Sequence, residues 1–153
     1  KKYNSKYLTV TGGEPLAQKN VLLFLEKVCN LNYLVSIETS NCLDISTIDS
    51  RVSIILDIKT PASNESDKNK IENYRYLKPK DEIKFVICNK DDFIWAKEYI
   101  SEYNLDNYCP VLFSPSYDEM PIAELAELII EHSLNVRLQT QLHKVIWGNI
   151  NGR

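Results

Sequence analysis

Short apolar runs rich in β-branched residues alternate along this chain with stretches whose apolar positions recur every three or four residues. Residues 7–11, 33–38, 53–58, 82–88, 109–113 and 135–138 fit strands. Residues 18–31 fit a helix with a stripe of Val21, Phe24, Leu25, Val28 and Leu31, widened by Leu22 and Leu23. Further helices are predicted at 70–77, 93–103 and 121–132, with a short helix or turn at 43–49 and a Ser-, Asn- and Asp-rich loop at 61–69. Asp91 and Asp92 are placed to cap the helix at 93–103, whose packing side is Ile94, Trp95, Tyr99 and Ile100. His132 falls in the last turn of its helix, where a cation is favoured, and reads as a helix-end histidine. Strands alternating with helices imply right-handed crossovers and a parallel sheet. Leu34, Val35 and Ile37, with little polar alternation, predict a sheet covered on both faces.

Polar chemistry gathers where the strands end. The first strand runs into Thr11-Gly12-Gly13-Glu14-Pro15. Two adjacent glycines permit backbone angles and close approaches that a Cβ forbids, and Pro15 suits a first helical position. The turn therefore offers backbone polar groups and the Glu14 carboxylate at a strand mouth, where α/β folds bind ligands. A tight turn that uses its glycines for geometry alone is the other reading. Glu38-Thr39-Ser40-Asn41, Asp57-Ile58-Lys59, Ser114-Pro115-Ser116 and Gln139–Lys144 follow later strands. Lys59 at such a mouth can pair with a carboxylate, or stand solvated beside Asp57. No nucleophile elbow, H-E-x-x-H zinc site or phosphate-cradling loop occurs.

The set Thr11–Pro15, Glu38-Thr39-Ser40, Asp57-Ile58-Lys59, Asp81–Val86 and Gln141-Leu142-His143-Lys144, in this order, resembles the 7-carboxy-7-deazaguanine synthase family of radical S-adenosylmethionine enzymes. The resemblance runs from about Tyr7 to Trp147. It implies an α/β fold, a partial parallel βα barrel missing its first βα unit, as a single domain over residues 1–153. It implies a cytoplasmic lyase of the queuosine pathway that contracts the ring of 6-carboxy-5,6,7,8-tetrahydropterin to 7-carboxy-7-deazaguanine with loss of ammonia. S-adenosylmethionine, a 4Fe-4S cluster and magnesium are the implied cofactors, and an electron donor such as flavodoxin the implied partner. By the same likeness Gly12, Gly13, Glu14, Ser40, Asp57 and Lys59 would hold S-adenosylmethionine, with Glu14 facing the methionine amine. Thr11, Gln141 and His143 would border the pterin. An extended 141–144 segment would turn Gln141 and His143 into the pocket and Leu142 inward. Two departures stand out. Asn41 occupies a position where the family usually has glycine, and Asn tolerates positive φ. The family's S-P-K segment is Asp57-Ile58-Lys59 here, keeping only the lysine.

The family's cluster ligands are three cysteines spaced C-x3-C-x2-C. Cys29, Cys42, Cys88 and Cys109 are too dispersed to form that loop. With Lys1-Lys2 in place of an initiator, the chain is expected to be the C-terminal portion of a longer protein, short of a βα unit of roughly 30 residues, and inactive alone. Two other readings stay open: another radical S-adenosylmethionine enzyme, such as a glycyl-radical activating enzyme, and a non-catalytic α/β ligand-binding domain. The 153 residues suit one domain, and 18 basic against 21 acidic residues give no reason to expect nucleic-acid binding. No apolar run approaches a membrane span, and four scattered cysteines are no disulfide framework. A bared sheet edge would favour self-association, so a homodimer is allowed for.

Overall fold

Alternation of side chains along parallel strands decides which face of the sheet is core and which is site. The computed structural model describes residues 4–148, apart from the side chain of His143; residues 1–3 and the polar tail at 149–153 lie outside the described residues. The strands are β1 (Tyr7–Val10), β2 (Leu34–Ser40), β3 (Ser53–Ile58), β4 (Glu82–Ile87), β5 (Val111–Pro115) and β6 (Arg137–Leu138). They form one sheet in the order β1-β2-β3-β4-β5-β6, each pair parallel. The helices are α1 (Val21–Asn30), α2 (Lys90–Tyr103), α3 (Ile122–Glu131) and α4 (Leu142–Trp147).

One face is apolar and closed. Ile37, Ile54, Leu56, Ile83, Phe85 and Phe113 lie at 0–1% exposure and pack with Leu25, Phe93, Ala96 and Leu125 of the helices. Phe113 meets Phe85 and Phe93 edge to face, with ring centroids 5.7 and 5.8 Å apart. The intervening positions Ser36, Glu38, Ser40, Ser53, Ile55, Asp57, Glu82, Lys84 and Val86 form the other face, half-buried and mostly polar. The expected cover on both faces is uneven: one face is closed and the other half-buried. A parallel sheet curved towards a barrel needs an apolar outer layer under its helices, whereas its inner face takes polar residues where a ligand is to sit.

Other differences are local. In α1 the buried side is Val21, Leu25 and Cys29, while Phe24 and Leu31 of the predicted stripe are 46% and 69% exposed. Residues 43–49 form turns, the second of the two expected alternatives, and 70–77 hold a 3₁₀ segment, Ile71–Tyr76. The cap of α2 is Asn89, whose side chain accepts from the Asp92 N–H at 2.9 Å; Asp91 and Asp92 fall in the first turn. Phe93 and Ala96 are its buried apolar residues; Trp95, Tyr99 and Ile100 of the predicted packing side are partly buried against the core, and Ile94 is exposed. The fifth strand extends two residues past its predicted end, to Pro115. His132 caps α3 as a helix-end residue, with Nδ1 3.1 Å from the Lys97 ammonium and its ring over Phe93.

Candidate functional site

The Gly-Gly turn takes the angles that glycine permits: φ is +97° at Gly12 and +56° at Gly13, and nothing lies within 4 Å of where a Cβ would stand on either. The backbone there is open to a ligand. Behind it, Glu14 caps the 3₁₀ turn Pro15–Ala17. Its Oε1 accepts from the Leu16 N–H at 2.9 Å and the Thr39 hydroxyl at 2.5 Å; its Oε2 accepts from the Ser40 N–H at 2.8 Å and the Ser40 hydroxyl at 2.6 Å. One carboxylate thus sews the exit of β1 to the end of β2. Burial raises the Glu14 pKa, but the hydrogen bonds from Ser40, Thr39 and Leu16 outweigh it and hold the group below its ordinary value. Glu14 was expected to face an ammonium group; a carboxylate offers about four acceptor sites, and here four donors already take them.

Ser40, Asp57 and Lys84 are cross-strand neighbours on the inner face. Lys59 reaches back to Asp57 Oδ2 at 2.6 Å, so its carboxylate partner here lies within the chain. Asp57 Oδ1 is buried and has no hydrogen-bond partner among the described residues. Such an oxygen carries a desolvation cost that a ligand donor would relieve. Asn69 clamps the Lys59 backbone with two hydrogen bonds, accepting from its N–H at 3.0 Å and donating to its carbonyl at 2.9 Å. This support was not visible in the sequence, because ten residues of loop separate the partners.

Further across the inner face, Lys84 Nζ and the Thr11 hydroxyl both stand 3.4 Å from Glu38 Oε2. Thr11, Glu38, Lys84, Val86, Ser114, Gln139, Thr140, Gln141 and Leu142 line a cavity of about 480 Å³, in the range of small-molecule pockets. Thr11 and Gln141, both expected at a substrate site, therefore meet at one cavity. Glu38 and Lys84 stood in the quoted motifs without a role; their alternation with Ile37 and with Ile83 and Phe85 was the signal for the inner face. A larger groove, about 650 Å³, lies at the opposite ends of the strands among Tyr7, Tyr33, Ser36 and Arg51. Ligands in α/β sheets sit beyond the C-terminal strand ends, which favours the smaller cavity.

The 141–144 segment is not extended. Gln141 precedes α4, and Leu142, expected inward, is 63% exposed. The His143 side chain lies outside the described residues. Asn41 does not take positive φ. It is fully buried, donates to the Tyr74 hydroxyl at 3.1 Å and accepts from the Asn73 amide at 2.9 Å. Asp81 and Asp92 are buried carboxylates with structural partners: Asp81 accepts from the Ile54 and Lys78 N–H groups, Asp92 from the Thr60 hydroxyl and the Ala62 and Cys88 N–H groups.

No family model matches the chain. It is 34% identical over 149 residues to the 7-carboxy-7-deazaguanine synthase of Chlorobaculum tepidum, covering 95% of this chain and 68% of that protein. The chain belongs to the 7-carboxy-7-deazaguanine synthase family. The family's proteins from Koribacter versatilis and Thermoplasma acidophilum are 38% and 30% identical to it, over 90% and 95% of this chain and 67% and 69% of theirs. The fold agrees with the crystal structure of QueE from Escherichia coli, with a TM-score of 0.64 at 21% identity, over 92% of this chain and 58% of that one. The six parallel strands are those of the expected partial βα barrel. The chain spans about two thirds of the length of these curated relatives.

For a 7-carboxy-7-deazaguanine synthase the thiols are poorly set to hold iron. All four cysteines are free, and burial pushes the Cys88 and Cys109 thiols up to about 11 and 12. Among the described residues no three His, Cys, Asp or Glu side chains converge to hold a metal ion. The residues present do not fit the family's cluster or its magnesium. Toward S-adenosylmethionine the chain offers an open glycine turn, a fixed carboxylate and an unpaired acceptor along the ends of three neighbouring strands, β1 to β3. No helix among the described residues is long and apolar enough to cross a membrane.

Proposed function

We propose that this chain supplies the S-adenosylmethionine cradle and pterin cavity of a 7-carboxy-7-deazaguanine synthase. The reaction converts 6-carboxy-5,6,7,8-tetrahydropterin to 7-carboxy-7-deazaguanine and ammonia, in the cytoplasm, as a single partial-barrel domain acting with an electron donor. The observation that carries the reading is the buried, unpartnered Oδ1 of Asp57 beside the Glu14–Ser40 junction. Bound S-adenosylmethionine would supply the carbon radical with which the family's chemistry begins.

The chain's own share is orientation. Gly12 and Gly13 let the methionine end approach the backbone. Glu14 keeps its charge beneath that end while its hydrogen bonds hold Ser40 in place. Asp57 accepts a donor of the cofactor on Oδ1, and Lys59 fixes its other oxygen. Thr11 and Gln141 border the pterin, and the half-buried inner face limits water around it. His143 stays in the proposal as a substrate residue on α4.

The test uses the full-length protein, reconstituted with iron and sulfide. Formation of 7-carboxy-7-deazaguanine should require S-adenosylmethionine. Asp57→Asn, which keeps the shape but weakens a charge-assisted contact, should raise the S-adenosylmethionine Kd about tenfold. No product from the wild type removes the proposed reaction, and an unaltered Kd in Asp57→Asn removes the cradle.

A further inference from the structure

We propose that Lys84 is a specificity residue: its ammonium donates to the 4-oxo group of a pterin while Glu38 accepts from the neighbouring ring N–H. The inference rests on the pterin reading above and names the part of the ligand that this side of the cavity recognises.

The residues lining the cavity include one cation, Lys84, and one carboxylate, Glu38. The rest of the lining is neutral: Thr11, Ser114, Gln139, Thr140 and Gln141 are polar, Val86 and Leu142 apolar. The Lys84 side chain is only 17% exposed, yet its single ionic partner among the described residues is Glu38 Oε2 at 3.4 Å. An ammonium has three donors, and burial makes idle ones costly. Glu38 is equally under-used. Both contacts of its Oε2, to Lys84 and to Thr11, are 3.4 Å long. By contrast, the structural carboxylate Asp92 accepts at 3.0–3.1 Å from Thr60, Ala62 and Cys88. A loosely joined donor and acceptor, side by side, is the arrangement that suits two adjacent atoms on the edge of a heterocycle. The aminopyrimidinone edge of a pterin presents an oxo acceptor next to an N–H donor. Lys84 and Glu38 complement that order.

The same pair opposes the reversed order. A 2,4-diaminopteridine puts an amino group where the oxo group was and a bare ring nitrogen where the N–H was. Lys84 would then face a donor and Glu38 a lone pair. Sites built to hydrogen-bond one pattern reject its mismatch strongly, because their own buried groups are left unpaired.

The experiment measures equilibrium binding to the full-length protein of pterin-6-carboxylate, unsubstituted pterin and 2,4-diaminopteridine-6-carboxylate. The wild type should prefer pterin-6-carboxylate over the diamino compound about 10- to 100-fold. Lys84→Met should lose most of that preference, weakening both 4-oxo ligands alike. Lys84→Gln, a neutral donor, should lose less, and it is measured in the same way should the Met variant fail to fold. Circular dichroism and thermal unfolding report the fold of each. An unchanged preference in either folded variant overturns the inference. So does weakening confined to the 6-carboxylated ligands, which would make Lys84 an anchor for the carboxylate. Wild-type protein that binds no pterin at all overturns the reading of function itself, an outcome distinct from the other two.

Discussion

Glu14 and Glu38 stand at the ends of neighbouring strands and are put to opposite use. Glu14 accepts four hydrogen bonds of 2.5–2.9 Å from three residues. Glu38 meets two partners, each at 3.4 Å. The first belongs to the frame, and the second is held in readiness. Net hydrogen-bond energies explain why both patterns occur. A bond made within the protein gains little over one made to water, but a donor left without its acceptor costs the full desolvation. Removing the saturated carboxylate should therefore damage the fold. Removing the loosely held one should damage only binding.

The largest effect is expected from Glu14→Ala, which leaves the Leu16 and Ser40 N–H groups and two hydroxyls without their acceptor. Unfolding in urea should show a loss of about 3 kcal/mol. Glu14→Gln should not rescue this, since its NH₂ would point at a donor. A loss below 1 kcal/mol, or roughly what an ordinary surface change produces, would break the comparison. Thr39→Val keeps the volume of a buried residue but removes its hydroxyl from Glu14. About 1.5 kcal/mol should go, with the other three bonds intact.

The pH dependence sharpens the same point. The folded Glu14 carboxyl lies below its ordinary value of 4.5, so the unfolded chain binds this proton more tightly. The stabilisation is then complete above that value and drains away as pH falls through the lowered folded one. Acid titration of stability should fall more steeply for the wild type than for Glu14→Gln in that window. Identical slopes would place the charge elsewhere. The smallest effect belongs to Glu38→Gln, where thermal unfolding should change stability by less than about 0.5 kcal/mol while pterin binding weakens. A large loss of stability there would make Glu38 a second frame carboxylate.

Much of this was legible in the residues. Six strands, their direction and the Gly-Gly turn follow from apolar runs and from short, local chemistry. What escaped was whatever depends on partners distant in sequence. The hydrogen bonds that saturate Glu14 depend on Thr39 and Ser40 arriving from β2. Asn41 looks like a stand-in for glycine until Asn73 and Tyr74 enclose it. The polar inner face was present in the alternation of Ser36, Glu38 and Ser40, but the neighbouring Leu34 and Val35 masked it. An extended Gln141-Leu142-His143-Lys144 would follow only from its leaving a strand. The apolar Val145, Ile146 and Trp147 behind it prolong the segment enough for a short helix to form.

The order of the sheet bears on how the protein is made. Every strand pairs with the strand before it in the chain, from Tyr7 beside Leu34 to Phe113 beside Leu138. Among the described residues no strand is inserted between two that are already joined. During synthesis, each new strand leaving the ribosome finds its edge already present, and the sheet can grow in the direction of translation. On the side where the sheet grows, the open edge is the most recently finished strand, and the next strand to emerge covers it.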